Sequence, residues 1–234
     1  ETSAGGSEAL FDRAEFADAG SSVGLLPVAP ADGQFNWSLG PYLGLVFGPE
    51  DDGGLALNGG VEVTASYAFS PNFILGSAVR QQLFNTSDTA TFVPDDDVPG
   101  VHPVRRNAPL YALEGTTTIP TLTLSHFARP GPNLYGRVTA GLLEPMYGGV
   151  STELLFKPVD SAWGFGAEVN YVQQRDFDQQ FSFRDYDVVT GHGSLYYDFD
   201  SGFYAQLDLG RYLAGDWGAT MTLDRTFENG WRVG

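Results

Sequence analysis

The sequence predicts an all-β fold: an up-and-down antiparallel transmembrane β-barrel, or part of one, with about ten or more strands. Three observations predict it. Apolar and polar residues alternate with period two from Phe35 onward. Tight and longer connections alternate along the chain. Aromatic residues gather at the ends of the alternating segments rather than in their middles.

The alternation defines each strand in turn. Phe35, Trp37, Leu39, Leu43, Leu45 and Phe47 share a phase against Asn36, Ser38, Gly40, Tyr42 and Gly44. Val61, Val63, Ala65, Tyr67 and Phe69 oppose Glu62, Thr64 and Ser66. The segments at 73–84 and 116–128 are less regular, and Pro120 predicts an edge, a bulge or a shortened strand in the second. Leu134, Gly136, Val138, Ala140 and Leu142 oppose Tyr135, Arg137 and Thr139; Val150, Thr152, Leu154 and Phe156 oppose Ser151, Glu153 and Lys157. Trp163, Phe165, Ala167, Val169 and Tyr171 oppose Gly164, Gly166, Glu168 and Asn170. Val189, Gly191, Gly193, Leu195 and Tyr197 oppose Thr190, His192, Ser194 and Tyr196. Phe203, Ala205, Leu207 and Leu209 oppose Tyr204, Gln206, Asp208 and Gly210. Ala219, Met221 and Leu223 then alternate with Thr220, Thr222 and Asp224.

Tight turns are expected at Ser70-Pro71-Asn72, Arg129-Pro130-Gly131-Pro132, Pro158-Val159-Asp160-Ser161, Phe199-Asp200-Ser201-Gly202 and Glu228-Asn229-Gly230. Between them lie mostly longer connections, the longest running from Asn85 to Gly115. Short turns on one side and longer loops on the other are the pattern of an outer-membrane barrel. Trp37, Phe69, Phe73, Phe127, Tyr135, Phe156, Trp163, Tyr197, Phe203, Phe227 and Trp231 fall at the tight-turn end. Phe47, Phe84, Tyr147, Tyr171, Tyr212 and Trp217 fall at the other, so two aromatic girdles are expected at two lipid–water boundaries. The apolar phase then meets lipid, and the polar phase faces a lumen.

Composition narrows the classes further. Residues 1–33 are polar and rich in Gly and Ser and are expected to form a flexible segment or linker, with the barrel region over 34–234. The 234 residues suit one large β domain or two small ones, and 30 glycines favour strands and turns over long helices. There is no cysteine, which excludes a disulfide scaffold, and no apolar run of about 18 residues that would make a spanning helix. A net charge of −17 argues against nucleic acid as a partner. A further strand begins near Trp231, so the barrel is expected to continue beyond Gly234 or to be completed by other strands.

Few side chains suggest chemistry. His192 and Ser194 lie two apart on one polar face, the minimum for a base beside a nucleophile, but Gly191 stands where an outer-membrane phospholipase of this kind has Asn, and the pair faces inward. Glu153, Glu168 and Asp208 share the polar phase, and a hydrated channel wall accounts for them without glycoside cleavage. The acidic runs Glu50-Asp51-Asp52 and Asp95-Asp96-Asp97 lack the spacing of a calcium loop and are expected to be solvated. Arg175-Asp176 and Arg184-Asp185 flank a loop and are expected to pair at the surface or to hold that loop. No metal-ligand spacing of His or Cys occurs, and no cofactor or catalytic residue is expected.

The segments "LYGRVTAGLLEPMYGGVSTELLFKPVDSAWGFGAEVNYVQQRDFDQQF" and "RDYDVVTGHGSLYYDFDSGFYAQLDLGRYLAGDWGATMTLDRTFENGW" resemble the YjbH family, also called GfcD-like. The resemblance is specific over 133–234, weaker over 35–132 and absent from the first thirty residues. Its strongest blocks are "GRVTAGLLEPMYGG", "QRDFDQ" and "GRYLAGDWG". It implies a large outer-membrane protein encoded with exopolysaccharide or capsule secretion genes, working with periplasmic or lipoprotein secretion components. No catalytic residue carries over. Arg211, Asp216 and Trp217 are structural markers within it, where an Arg–Asp pair is expected to fix a turn.

The expected function is non-catalytic assistance to polysaccharide export at the bacterial outer membrane. Arg137, Glu153, Glu168, Asn170, His192, Tyr196 and Asp208 would line the lumen and offer hydrogen bonds to a passing glycan. The alternatives are a non-conducting structural platform for a secretion complex, an outer-membrane hydrolase using His192 and Ser194, and a soluble β-sandwich that binds carbohydrate.

Overall fold

The computed structural model describes residues 33–47, 55–86, 104, 108–199 and 201–234. The N-terminal segment through residue 32 and both acidic runs, Glu50-Asp51-Asp52 and Asp95-Asp96-Asp97, lie outside the described residues. The strands are β1 (Gln34–Phe47), β2 (Leu55–Ser70), β3 (Phe73–Asn85), β4 (Thr117–Gly131), β5 (Leu134–Leu142), β6 (Tyr147–Phe156), β7 (Trp163–Arg175), β8 (Phe183–Asp198), β9 (Phe203–Arg211), β10 (Trp217–Thr226) and β11 (Arg232–Val233). Among the described residues one helix, α1 (Ala108–Glu114), stands between β3 and β4.

The eleven strands form one sheet in chain order, every pair antiparallel. This is the expected meander. Among the described residues the sheet is open, with β1 and β11 at its edges, so a closed barrel is not what these strands alone make. The tight turns fall where the sequence places them. In the turn after β4, Asn133 takes a φ of 58°, a left-handed conformation that Asn tolerates.

Pro120 lies inside β4, and the expected bulge is there. The ladder skips between Ala78↔Thr121 and Arg80↔Thr118, so two residues of β4 oppose one of β3. Ile119, freed from that ladder, donates its N–H to the carbonyl of Gln179 at 3.1 Å. β8 begins at Phe183, earlier than its alternation suggests, because it carries extra residues where the register shifts opposite Gln173 and Arg175.

At Gly141 the backbone φ is 132°, and an added Cβ would lie 2.1 Å from the Leu122 carbonyl of the neighbouring strand. Gly141→Ala is therefore expected to lose about 1–3 kcal/mol of stability, read as a lowered unfolding midpoint in detergent.

The two faces of the sheet differ in chemistry. On the apolar face Trp37, Leu43, Val169, Leu209 and Met221 stand exposed, and no second sheet covers them among the described residues. Rings cluster near the tight turns: Phe69 lies 4.8 Å from Tyr67 and 5.8 Å from Phe73, and Trp163 lies 4.3 Å from Tyr197. The girdles need correction at four positions. Tyr147 is fully buried, because its phase turns it inward under α1. Tyr212 packs on the His192 ring at 4.5 Å, on the polar side. Phe127 and Tyr135 share the face of Arg137, which pairs directly with Phe127. The side chain of Phe47 lies outside the described residues.

The polar face is capped at the longer-loop end. Leu110 and Tyr111 of α1 pack with Met146, Tyr147, Val172, Phe177 and Val188, giving a small apolar core on an otherwise polar surface. Arg175 ties this cap together. It is wholly buried, and its guanidinium donates to the carbonyls of Ile119, Pro120, Glu144, Gln179 and Gln180. Of the two roles expected of Arg175, holding the loop is the one realised, through an internal clamp in which carbonyls of three segments converge on its planar fork. Asp176 instead approaches Arg184 at 3.9 Å. Tyr111 donates its hydroxyl to the Arg175 carbonyl at 2.6 Å. Burial raises the Tyr111 phenol above its ordinary pKa, which keeps the donor proton in place.

Candidate functional site: a polar ladder and its cavity

Antiparallel pairing turns the polar phase into rows that cross the strands. One row runs Arg137↔Glu153↔Glu168↔His192 over β5 to β8. Glu153 and Glu168 face each other, which alone would destabilise the sheet. Each is met by a cation-forming group on its other side. Arg137 pairs with Glu153 at 2.6 Å, and His192 Nδ1 lies 2.8 Å from Glu168. Asn170 also donates to Glu168 at 3.3 Å and to the Thr190 hydroxyl at 3.1 Å.

A second row runs Ser125↔Thr139↔Ser151↔Asn170↔Thr190 over β4 to β8. It is made of hydroxyls and one amide. Ser125 and Thr139 hydrogen-bond across the strands at 3.0 Å. All five residues line a cavity of about 850 Å³, together with Arg137, Glu168 and His192. The rest of the lining includes Leu143, Glu144 and Tyr147 from the β5–β6 segment and Tyr212, Leu213 and Asp216 from the β9–β10 loop.

The seven candidate residues therefore divide. Arg137, Glu153, Glu168, Asn170 and His192 come together in the first row and its neighbour. Asp208 and Tyr196 stand apart, nearer the tight turns. Asp208 accepts from Ser194 at 2.6 Å and from Gln206 at 3.0 and 2.9 Å. Tyr196 stacks on Tyr204 at 6.3 Å.

His192 and Ser194 do not act on each other. The His192 Nδ1 is engaged by Glu168, and the Ser194 hydroxyl goes to Asp208. An activated serine needs its base within hydrogen-bond reach, and no hydrogen bond joins this pair. Arg211 fixes its turn by donating Nε to the Gly215 carbonyl at 3.0 Å, in place of the expected ion pair with Asp216.

Tyr212 and Asp216 are cavity residues that the alternation did not find, because a period-two rule stops at the strand end. Their signal lay in "GRYLAGDWG": a short loop at the end of a polar-faced strand folds back over that face. Helix α1 was likewise missed, although Pro109 in its first turn and Gly115 just past its end are helix start and stop signals.

The family described as "Exopolysaccharide biosynthesis protein YbjH" matches residues 12–234. The match reaches well into the first thirty residues, which corrects the expectation that similarity stops there. The chain is 31% identical over 207 residues to "Uncharacterized lipoprotein YjbH" of Escherichia coli (strain K12), covering 86% of this chain and 29% of that protein. The chain thus spans under a third of the length of this relative. No solved structure matches it.

Proposed function

Because the chain belongs to the YjbH family of exopolysaccharide biosynthesis proteins, we propose that it forms part of a bacterial outer-membrane β-barrel that assists export of an exopolysaccharide or capsule without catalysing a reaction. The observation that carries this reading is the polarity of the sheet. Apolar side chains stand exposed on one face while ion pairs and hydroxyls occupy the other, the reverse of a soluble single-layer sheet. Lipid covers such an apolar face at no cost, whereas water does not. Backbone groups at the β1 and β11 edges cannot stay unpaired in hydrocarbon, so further strands close the barrel. The polar rows then line a lumen, with the polysaccharide as cargo and periplasmic or lipoprotein secretion components as partners.

The test is planar-bilayer conductance of the full-length protein, with and without its glycan. Channels that the glycan blocks reversibly support export through this lumen. A protein that leaves membranes in salt alone, without detergent, would sink the barrel itself.

A second reading has its own support. The cap on the polar face suits a non-conducting platform in the secretion complex, and insertion with no conductance under any condition would favour it. The hydrolase reading makes a separate prediction. Ser194→Ala is expected to leave glycan secretion unchanged and to remove no esterase or lipase activity, measured on the purified protein.

A further inference from the structure

We propose that the cavity on the polar face is a saccharide subsite that favours neutral or amine-bearing sugars over uronate- or phosphate-bearing ones. The class of ligand rests on the export reading above. The selectivity rests on the cavity walls alone.

The size fits. About 850 Å³ lies within the roughly 300–1,000 Å³ of pockets that hold drug-sized ligands, so a short oligosaccharide is accommodated. The floor fits as well. Ser125, Thr139, Ser151, Asn170 and Thr190 form an unbroken register row across five strands, with about 4.8 Å per strand step. A hydroxyl both donates and accepts, so each keeps capacity after its internal bond. A sugar chain laid across the strands meets a regular series of such groups. Beside them Leu143, Val172 and Leu213 supply apolar surface, and Tyr212 supplies a ring for the C–H faces of a pyranose.

Charge sets the selectivity. Glu144, Glu168 and Asp216 border the cavity. The basic groups there are Arg137, held by Glu153 at 2.6 Å, and His192, held by Glu168 at 2.8 Å. An anionic sugar entering this space meets carboxylates and no uncommitted cation among the described residues. An ammonium meets favourable charge from Asp216 in the loop and shares Glu168 with His192 on the floor.

Isothermal titration of the full-length protein in detergent tests this with three probes: a neutral glucose trisaccharide, a glucosamine trisaccharide below its amine pKa, and a galacturonate trisaccharide. The glucosamine probe is expected to bind tightest and the galacturonate probe weakest. Glu168→Gln and Asp216→Asn should each weaken the glucosamine probe about two- to fivefold more than the neutral one. Ser151→Val should weaken both. Tighter binding of galacturonate, or indifference to all three substitutions, overturns the subsite. A protein that inserts and conducts but binds no probe also overturns it, while the export reading stands. A protein that binds in this order yet needs no detergent keeps the subsite and loses the barrel.

Discussion

Arg175→Ala is expected to cost about 3–5 kcal/mol and to release three segments at once. The native side chain is wholly buried and satisfies carbonyls from the β4 bulge, the β5–β6 loop and the β7–β8 loop. Truncation leaves these carbonyls without donors in a space that α1 and Phe177 shield from solvent. Two readouts check it on the full-length protein in detergent: a lowered unfolding midpoint, and new protease cleavage within 108–114 and 176–182. Arg175→Lys keeps the charge but loses the planar fork, so partial recovery is expected. Wild-type melting and protection in Arg175→Ala would remove the clamp from the account.

Val169→Arg is expected to lower insertion by about 2–4 kcal/mol, the range for a cation near the middle of a lipid-facing strand. Val169 sits midway along β7, points to the apolar face and is 60% exposed. Its neighbour Asn170 points to the opposite face, so Asn170→Arg should insert at nearly the wild-type level. Heat-modifiable gel mobility of the membrane fraction measures both. The contrast is diagnostic, because a one-residue step along a strand exchanges faces. If Asn170→Arg failed to insert and Val169→Arg succeeded, the lipid and lumen sides would be reversed.

Much of this fold was legible because the chain is a meander with one face apolar. The phase of every strand from Leu134 onward follows from period-two alternation, and the open-water turns follow from Pro, Asn and Gly. The ion-paired row was also within reach. Paired positions in a regular hairpin lie equidistant from the turn centre, as Arg137 and Glu153 do about Pro145, whereas the register shift opposite Gln173 and Arg175 displaces Glu168 and His192 from that symmetry. The cap was harder to read. Arg175 sits beside Asp176 in sequence, so a local ion pair is the simplest inference. Its true partners are main-chain carbonyls, which carry no residue identity. Tyr147 looked like a girdle ring because its position along the strand is right. Its phase, shared with Ser151 and Glu153 along an unshifted register, turns it inward.

Each strand bonds only to the one before and the one after it. Such a topology lets hairpins zip successively, with little loop-closure entropy at any step. The Tyr111–Arg175 bond is different, joining residues 64 positions apart. Docking of α1 is therefore the late event in assembly, after β7 has been laid down, and a folding probe on Tyr111 should lag one on any β-turn.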